Sequence, residues 1–262
     1  MKILLGIRIG VFDSGVGGLT VLKALQQTFP DAHFVYYADS NHAPYGILDT
    51  ETIWRYSERI VNYLLGREVD LIVVGCNTVT TEVIERLRAN YAVPFVGIEP
   101  AIKPAAQSSP NKCIGILATE RTLNSIGYTR TRDQYASKCK VIERVGVGLV
   151  EEIEKGIIES AALNALVESF VIDFEEQAID TLVLGCTHYV LIRALFSKRF
   201  KNPITLMDAN EAVARRAFNL VTPVKGVQQV VECYTSGSTQ LLRRIIDHLE
   251  INAVTKIEEL EL

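Results

Sequence analysis

Two cysteines occupy the same position in two similar segments of the chain. VDLIVVGCNTVTT covers residues 69–81 and IDTLVLGCTHYVL covers residues 179–191, and in each a Gly-Cys pair follows an apolar run and precedes polar residues. Free cysteine is among the most buried residue types, so core packing would explain either copy alone. It does not explain why both Cys76 and Cys186 have polar neighbours on their carboxyl-terminal side. The repeat therefore indicates two thiols with a shared chemical task.

Two equivalent thiols that face one cavity suggest a reaction with near mirror symmetry. One thiol would remove a proton from one face of a carbon atom, and the other would supply a proton to the opposite face. That reaction is a racemisation or an epimerisation. A free thiol has a pKa of about 8.5, so its surroundings must tune it for acid–base catalysis at neutral pH. We expect Cys76 and Cys186 to precede helix N-termini, whose positive partial charge stabilises a thiolate.

A glycine-rich segment, FDSGVGGLTVLKAL at residues 12–25, follows the first apolar run. Glycines let the backbone turn its N–H groups toward an anion. The segment lacks the lysine of a P-loop and has Thr20 where a GxGxxG motif needs glycine, so a carboxylate fits better than a nucleotide phosphate. Asp13 and Ser14 would lie beside Cys76 if their strands are neighbours. The alternative is that Asp13 caps a helix and the glycines form a tight turn.

Two further polar segments are candidates for the site. His188 lies two residues after Cys186, where it could shuttle protons and lower the pKa of the thiol as a cation. In YYADSNHAPYG, residues 36–46, a proline and a glycine bracket Tyr45 and could hold it against a ligand. Asp39 and Tyr45 could equally serve in turns and packing, and we assign His42 no function.

The composition excludes several classes of protein. The net charge is −4 and the chain has no basic stripe, so we expect no nucleic-acid partner. Five widely spaced cysteines without a CxxC pair argue against a disulfide framework and a structural zinc site. No apolar run approaches the ~18 residues of a membrane span, and residues 1–15 lack the pattern of a cleaved leader. We therefore expect a soluble, cytoplasmic protein without membrane association.

Short β-branched runs alternate with longer amphipathic stretches, which is typical of an α/β fold with parallel sheets covered by helices on both faces. Strands are predicted at residues 9–12, 34–38, 71–74, 95–98, 114–117, 141–145, 182–184, 204–207 and 230–235. Helices are predicted at residues 19–27, 50–65, 80–88, 149–155, 161–177, 190–198, 211–220 and 240–249.

The strand patterns repeat along the chain. The separation from Gly10 to Gly75 is 65 residues and that from Gly115 to Gly185 is 70, so the two halves resemble two versions of one βαβ-based unit. We predict two pseudo-symmetric αβα domains with the active site between them. A proline- and serine-rich stretch at residues 99–112 marks the break. The first domain would comprise residues 1–98, completed by residues 208–262, and the second would comprise residues 99–207.

Four motifs in this order closely resemble the cofactor-independent aspartate/glutamate racemase family, and within it the glutamate racemases. They are Asp13-Ser-Gly-Val-Gly-Gly, Pro44-Tyr-Gly, Gly75-Cys-Asn-Thr and Gly185-Cys-Thr-His-Tyr. The resemblance covers the whole chain. It implies two α/β domains with glutamate between them, no pyridoxal phosphate, other cofactor or metal, and a role in supplying D-glutamate for bacterial peptidoglycan. Many members of the family dimerise, so a homodimer is possible.

The resemblance also implies roles for individual residues. Cys76 and Cys186 correspond to the acid–base thiols, acting on D- and L-glutamate respectively, with Asp13 and His188 as their assistants. Positions of substrate contact correspond to Asp13, Ser14, Tyr45, Gly46, Asn77, Thr78, Thr119, Thr122, Thr187 and His188. The family also uses a glutamate as a catalytic aid, which could be Glu151, Glu152 or Glu154.

Two alternatives to glutamate racemisation follow from the residues. The same thiols could racemise aspartate or another amino acid, since spacing does not reveal the depth of the pocket. A two-domain α/β protein could also bind an amino acid without catalysis.

Overall fold

Two parallel β-sheets form the framework of the protein in a computed structural model that describes residues 6–222 and 228–262. The first sheet has six strands in the order β10-β9-β2-β1-β3-β4, and the second has four in the order β6-β5-β7-β8. Every strand pair in both sheets is parallel. The predicted α/β class with two parallel sheets is confirmed.

The elements follow one another along the chain in largely alternating order. The strands are β1 (Arg8–Asp13), β2 (His33–Ala38), β3 (Leu71–Val74), β4 (Phe95–Gly97), β5 (Cys113–Ala118), β6 (Lys140–Val145), β7 (Thr181–Leu184), β8 (Thr205–Met207), β9 (Val230–Thr235) and β10 (Val254–Glu259). The helices are α1 (Leu19–Thr28), α2 (Thr50–Gly66), α3 (Asn77–Asn90), α4 (Ile102–Ser108), α5 (Glu120–Asn124), α6 (Ile126–Tyr135), α7 (Leu149–Glu154), α8 (Ala161–Glu176), α9 (Thr187–Leu191), α10 (Arg193–Arg199), α11 (Asn210–Phe218) and α12 (Thr239–His248). Three short 3₁₀ helices cover Val16–Gly18, Ser40–His42 and Tyr45–Ile47.

Strand pairing is equivalent at the centres of the two sheets. β1 lies between β2 and β3, and β5 lies between β6 and β7. β3 therefore pairs with β1 in the first sheet as β7 pairs with β5 in the second. Cys76 follows β3 and Cys186 follows β7. Because parallel strands end at the same edge of their sheet, the polar loops after β1 and β3 meet, as do those after β5 and β7.

One hydrophobic core links the two sheets. Successive residues of β1 point to opposite faces, so Val11 packs into one cluster and Phe12 into another. The cluster that contains Val11 also contains Leu117 of β5 and Leu182 of β7. Full burial of such a side chain stabilises the fold by about 1.5–3 kcal/mol. Apolar contact thus holds the two sheets together and fixes their site-bearing edges relative to each other.

Several elements differ from the predicted ones. The stretch at residues 99–112, read as a break, contains α4, whose Ile102 and Ala105 are buried in the core of the second sheet. α5 and α6 were not predicted; Thr119 and Ser125 cap their N-termini. The single helix predicted at residues 190–198 is two helices, α9 and α10, with Ile192 between them. An unpredicted strand, β10, pairs with β9 at the edge of the first sheet.

The strands of the first sheet come from residues 8–97 and 230–259, and those of the second come from residues 113–207. The domain boundaries at residues 98/99 and 207/208 stay a prediction. The expectation that residues 1–15 contain no leader falls in part on residues 1–5, which lie outside the described residues. Among residues 6–222 and 228–262, no helix is long and apolar enough to cross a membrane.

Candidate active site

Cys76 ends the loop between β3 and α3. It has extended backbone angles and serves as the N-cap of α3, which begins at Asn77, three residues earlier than the sequence predicted. The side chain is buried, and its Sγ lies 3.5 Å from the Oγ of Ser14, in the loop after β1. The expected meeting of the first glycine-rich loop with the first cysteine is therefore present.

Cys186 holds the equivalent position in the second sheet, between β7 and α9. Its Sγ lies 3.8 Å from the Nδ1 of His188. The Nε2 of that imidazole lies 2.5 Å from the Oε1 of Glu154, and the same oxygen accepts a hydrogen bond from the backbone N–H of Val16 at 2.8 Å. A chain of contacts thus runs from the second thiol through a histidine and a carboxylate to the glycine-rich loop of the first sheet.

The position of Glu154 distinguishes it from the other two glutamates in α7. Glu152 pairs instead with Lys155 at 2.5 Å, and Glu151 is exposed. The second carboxylate oxygen of Glu154 is buried without a hydrogen-bond partner among the described residues. Of the three candidates, Glu154 is the one that touches His188.

Asp13 is fully buried at the end of β1 and connects the two halves of the site. Its Oδ2 accepts hydrogen bonds from the backbone N–H of Gly18 at 2.6 Å and from the hydroxyl of Thr187 at 3.2 Å. Its Oδ1 lies 3.5 Å from the Ser14 hydroxyl, which in turn contacts Cys76. The carboxylate can therefore act on the first thiol through Ser14, and it fixes Thr187 beside the second.

The two thiols have different electrostatic surroundings. Burial and the neighbouring Asp13 carboxylate raise the pKa of Cys76, and these effects outweigh the helix N-terminus that was expected to stabilise a thiolate. Burial also raises the pKa of Asp13, although His188 opposes it. Burial alone would lower the pKa of His188, but hydrogen bonds to Cys186 and Glu154 raise it well above its ordinary value. The first thiol is thus held protonated, whereas the second has a cationic partner.

Hydroxyl groups continue the site away from the thiols. The hydroxyls of Thr78 and Thr119 lie 3.0 Å apart across the two halves, and Thr119 donates to Thr122 at 3.0 Å. Gly46 packs so closely on Thr119 that an added Cβ would lie 2.9 Å from the Cβ of that threonine. The hydroxyl of Tyr45 donates its hydrogen to Asp39 Oδ2 at 2.5 Å, so that hydrogen is already engaged.

A cavity lies between the two thiols. Pro44 and Val150 line it together with ten of the twelve predicted site residues. These ten are Ser14, Tyr45, Gly46, Cys76, Asn77, Thr78, Thr119, Cys186, Thr187 and His188. Asp13 and Thr122 lie behind this layer. The free volume is about 10 Å³, which is the room of roughly one water molecule. An amino acid does not fit in this closed form, so the site must open to admit one.

A second cavity of about 1130 Å³ lies elsewhere in the protein, between α4, α6 and α11. It contains none of the predicted site residues and neither thiol. Because neither thiol lines this cavity, its large size is not evidence for a part in the chemistry of the two cysteines.

An ion pair between α3 and α5 is expected to favour the closed form. Arg121 of α5 lies 3.5 Å from the Glu82 carboxylate of α3, which also accepts from Thr50 at 2.5 Å. Replacing Glu82 by Gln keeps an oxygen for Thr50 but removes the charge. Such partly exposed pairs contribute about 0.2–1 kcal/mol, so loss of the pair should change KM for the substrate by up to about fivefold. Steady-state kinetics of Glu82→Gln against Glu51→Gln, which breaks an exposed pair with Arg86, tests this; equal KM values would contradict it.

Gly17 is required where the two halves touch. A Cβ added there would lie 2.5 Å from His188 Nδ1 and 2.6 Å from the backbone nitrogen of the same residue. The Gly17→Ala substitution should therefore displace the imidazole and lower kcat/KM by up to about 10²-fold. Gly127→Ala is the matched control, since nothing in the described part of the chain, apart from its own helix and chain neighbours, lies within 4 Å of the added Cβ in α6. Full activity in Gly17→Ala would show that the imidazole tolerates the shift.

Comparisons with known proteins agree with this geometry. Residues 9–217 match the model of the Asp/Glu/Hydantoin racemase family. A glutamate racemase from Herpetosiphon aurantiacus is 39% identical over 249 residues, which are 93% of this chain and 98% of the relative. A glutamate racemase from Pseudomonas paraeruginosa is 38% identical over 243 residues, 91% of this chain and 92% of the relative.

Solved structures give the same result. The fold is similar to that of Escherichia coli glutamate racemase in complex with L-glutamate and the activator UDP-MurNAc-Ala, with a TM-score of 0.86, 28% identity and coverage of 97% of this chain and 98% of that one. On the matched residues and these relatives, the chain belongs to the Asp/Glu/Hydantoin racemase family.

Proposed function

We propose that the protein is a glutamate racemase that interconverts L- and D-glutamate by proton transfer between the α-carbon and the thiols of Cys76 and Cys186. The observation that carries the proposal is that equivalent positions in two sheets direct two cysteines into one cavity, each with its own acid–base neighbour. The names of the relatives support the substrate, since both are glutamate racemases.

The two thiols take complementary roles in this mechanism. The thiolate of Cys186, formed beside the His188 cation, removes the α-proton of L-glutamate. The protonated Cys76 then supplies a proton to the opposite face of the carbanion. In the reverse direction Cys76 gives its proton to Asp13 through Ser14, and the resulting thiolate removes the α-proton of D-glutamate. Cys186, protonated by the His188 cation, supplies a proton to the opposite face. Each turnover thus leaves the base protonated and the acid as a thiolate.

Neutral donors are proposed to hold the substrate carboxylates. Among the described residues, those that line the cavity include neither lysine nor arginine. Hydroxyl and amide groups with backbone N–H groups therefore take that role, and the predicted contacts are Ser14, Asn77, Thr78, Thr119 and Thr187. Carboxylates that accept several such hydrogen bonds remain ionised without a lysine or arginine nearby.

One experiment tests the reaction and the substrate together. Purified protein is incubated with L-glutamate and then with D-glutamate in deuterium oxide, and α-proton loss is followed by NMR alongside optical rotation. We expect deuterium at the α-carbon and decay to the racemic mixture from both sides. Exchange with aspartate but not glutamate would keep the mechanism and change the substrate. Tight binding of glutamate by calorimetry without exchange would indicate a binding protein.

The cellular role follows from the reaction. D-Glutamate from this enzyme would supply peptidoglycan synthesis, which takes place from cytoplasmic precursors, and we place the protein in the cytoplasm on that ground. A homodimer stays a prediction that light scattering would test.

A further inference from the structure

We propose that His42 is a positioning residue that clamps the loop Pro44-Tyr45-Gly46 over Cys76. The use of this clamp in glutamate binding rests on the proposed function. The structure gives His42 a definite contact beside the cavity, although its sequence suggested no function.

Asp39 is the centre of the clamp. The residue is 3% exposed, and each of its two carboxylate oxygens contacts one side chain. His42 Nδ1 lies 2.8 Å from Oδ1, and the Tyr45 hydroxyl donates to Oδ2 at 2.5 Å. A buried carboxylate must be hydrogen-bonded, so the carboxylate ties the imidazole and the phenol to one another.

The position of His42 is in turn fixed by contacts with α2 and with the segment after β9. Its ring stacks on Tyr56 of α2 with centroids 4.1 Å apart and an interplanar angle of 26°. The adjacent Asn41 backbone N–H donates to the Ser236 hydroxyl at 3.0 Å, just after β9. The imidazole therefore has a fixed position from which to orient the Asp39 carboxylate.

The far end of the clamp is at the reaction site. The Tyr45 ring is buried, lines the cavity with Cys76, and lies 5.8 Å from the Tyr56 ring. The next residue, Gly46, packs against Thr119 of the opposite half. A loop released from Asp39 would lose this fit, open the cavity toward Cys76 and weaken the closed complex with substrate.

Two substitutions separate the hydrogen bond from the space that the ring fills. His42→Leu removes the donor and keeps an apolar side chain of similar size, whereas His42→Asn keeps a donor that can reach Asp39. We expect KM for both enantiomers to rise about tenfold in His42→Leu with kcat changed less than about threefold, and His42→Asn to recover most of the loss. His248→Leu, the same change at an exposed site on α12, is the control.

A second measurement is independent of catalysis. The rate at which iodoacetamide alkylates Cys76, followed by mass spectrometry of its peptide, reports how well the loop covers the cavity. We expect about tenfold faster alkylation in His42→Leu, near wild-type rates in His42→Asn and His248→Leu, and native circular-dichroism spectra in all three variants. An unchanged rate in His42→Leu, or equal acceleration in His42→Asn, would overturn the proposal. Faster alkylation in a protein that does not racemise glutamate would retain the clamp and reject the proposed function.

Discussion

Replacing either Cys76 or Cys186 by serine is expected to lower kcat for glutamate racemisation by about 10²–10⁴-fold. Serine has the shape of cysteine, but its hydroxyl ionises far less readily than a thiol. It can therefore neither remove the α-proton nor return one at a useful rate. Both cysteines are buried beside polar side chains that serine can also contact, so the fold should persist. Circular dichroism and optical rotation together check the two halves of this expectation.

Each single variant should also separate exchange of the α-proton from inversion of the α-carbon. In Cys76→Ser, the remaining thiol can still remove and return the α-proton of L-glutamate on the same face. Deuterium should then enter L-glutamate without inversion, and in Cys186→Ser the same should hold for D-glutamate. Cys139→Ser, at a partly buried thiol outside the cavity, is the matched control. Near-normal racemisation in both single variants would contradict the two-thiol mechanism.

The sequence predicted the central strands well because their signals are local. β1, β3, β5 and β7 are short apolar runs bounded by turn residues, and each strand appears where it was expected. α4 was missed because proline and serine suggested a break, while burial of Ile102 against the second sheet outweighs that local tendency. β10 was missed because three of its six residues are charged, and its pairing with β9 is a tertiary contact that no local pattern contains.

The site shows the same division between local and tertiary information. The repeated Gly-Cys motif identifies both thiols, and adjacency in sequence identifies His188. The choice of Glu154 could not be made, because three glutamates in one turn of helix differ only in the direction of their side chains. The hydrogen bond from Tyr45 to Asp39 was likewise not predictable. The sequence suggested either a ligand contact or a turn for each of these residues, but no contact between the two. Sequence identifies the reacting atoms here, and packing identifies their partners.

Replacing His188 by asparagine has the second large expected effect. The imidazole connects Cys186 to Glu154, and asparagine can fill part of this space but cannot carry the positive charge. Without that cation the negative charge on the Cys186 sulfur loses its neighbouring positive charge, so kcat/KM should fall by about 10²–10⁴-fold. Because L- and D-glutamate have equal free energy, kcat/KM must fall by the same factor in both directions.

The substitution also has a signature in the pH dependence of stability. The pKa of His188 is raised in the folded protein by Cys186 and Glu154. Its stabilising contribution is therefore fully present below about pH 6.5, the value for an unperturbed histidine, and is lost as the pH rises through the folded-state pKa. Urea unfolding of wild type and His188→Asn should show a difference that shrinks as the pH is raised above neutrality. A constant difference would indicate loss of packing alone.

Isotope effects reveal which side of the reaction His188 serves, since kcat/KM cannot. If the imidazole assists Cys186, its loss makes proton removal from L-glutamate the slower of the two transfers. The primary isotope effect with α-deuterated L-glutamate should then rise in His188→Asn, while that with α-deuterated D-glutamate should fall toward unity. Asp13→Asn should show the opposite pattern, because its carboxylate reaches Cys76 through Ser14. Equal isotope effects from both sides in either variant would mean that the assistant acts on both thiols, as the contact of Asp13 with Thr187 would permit.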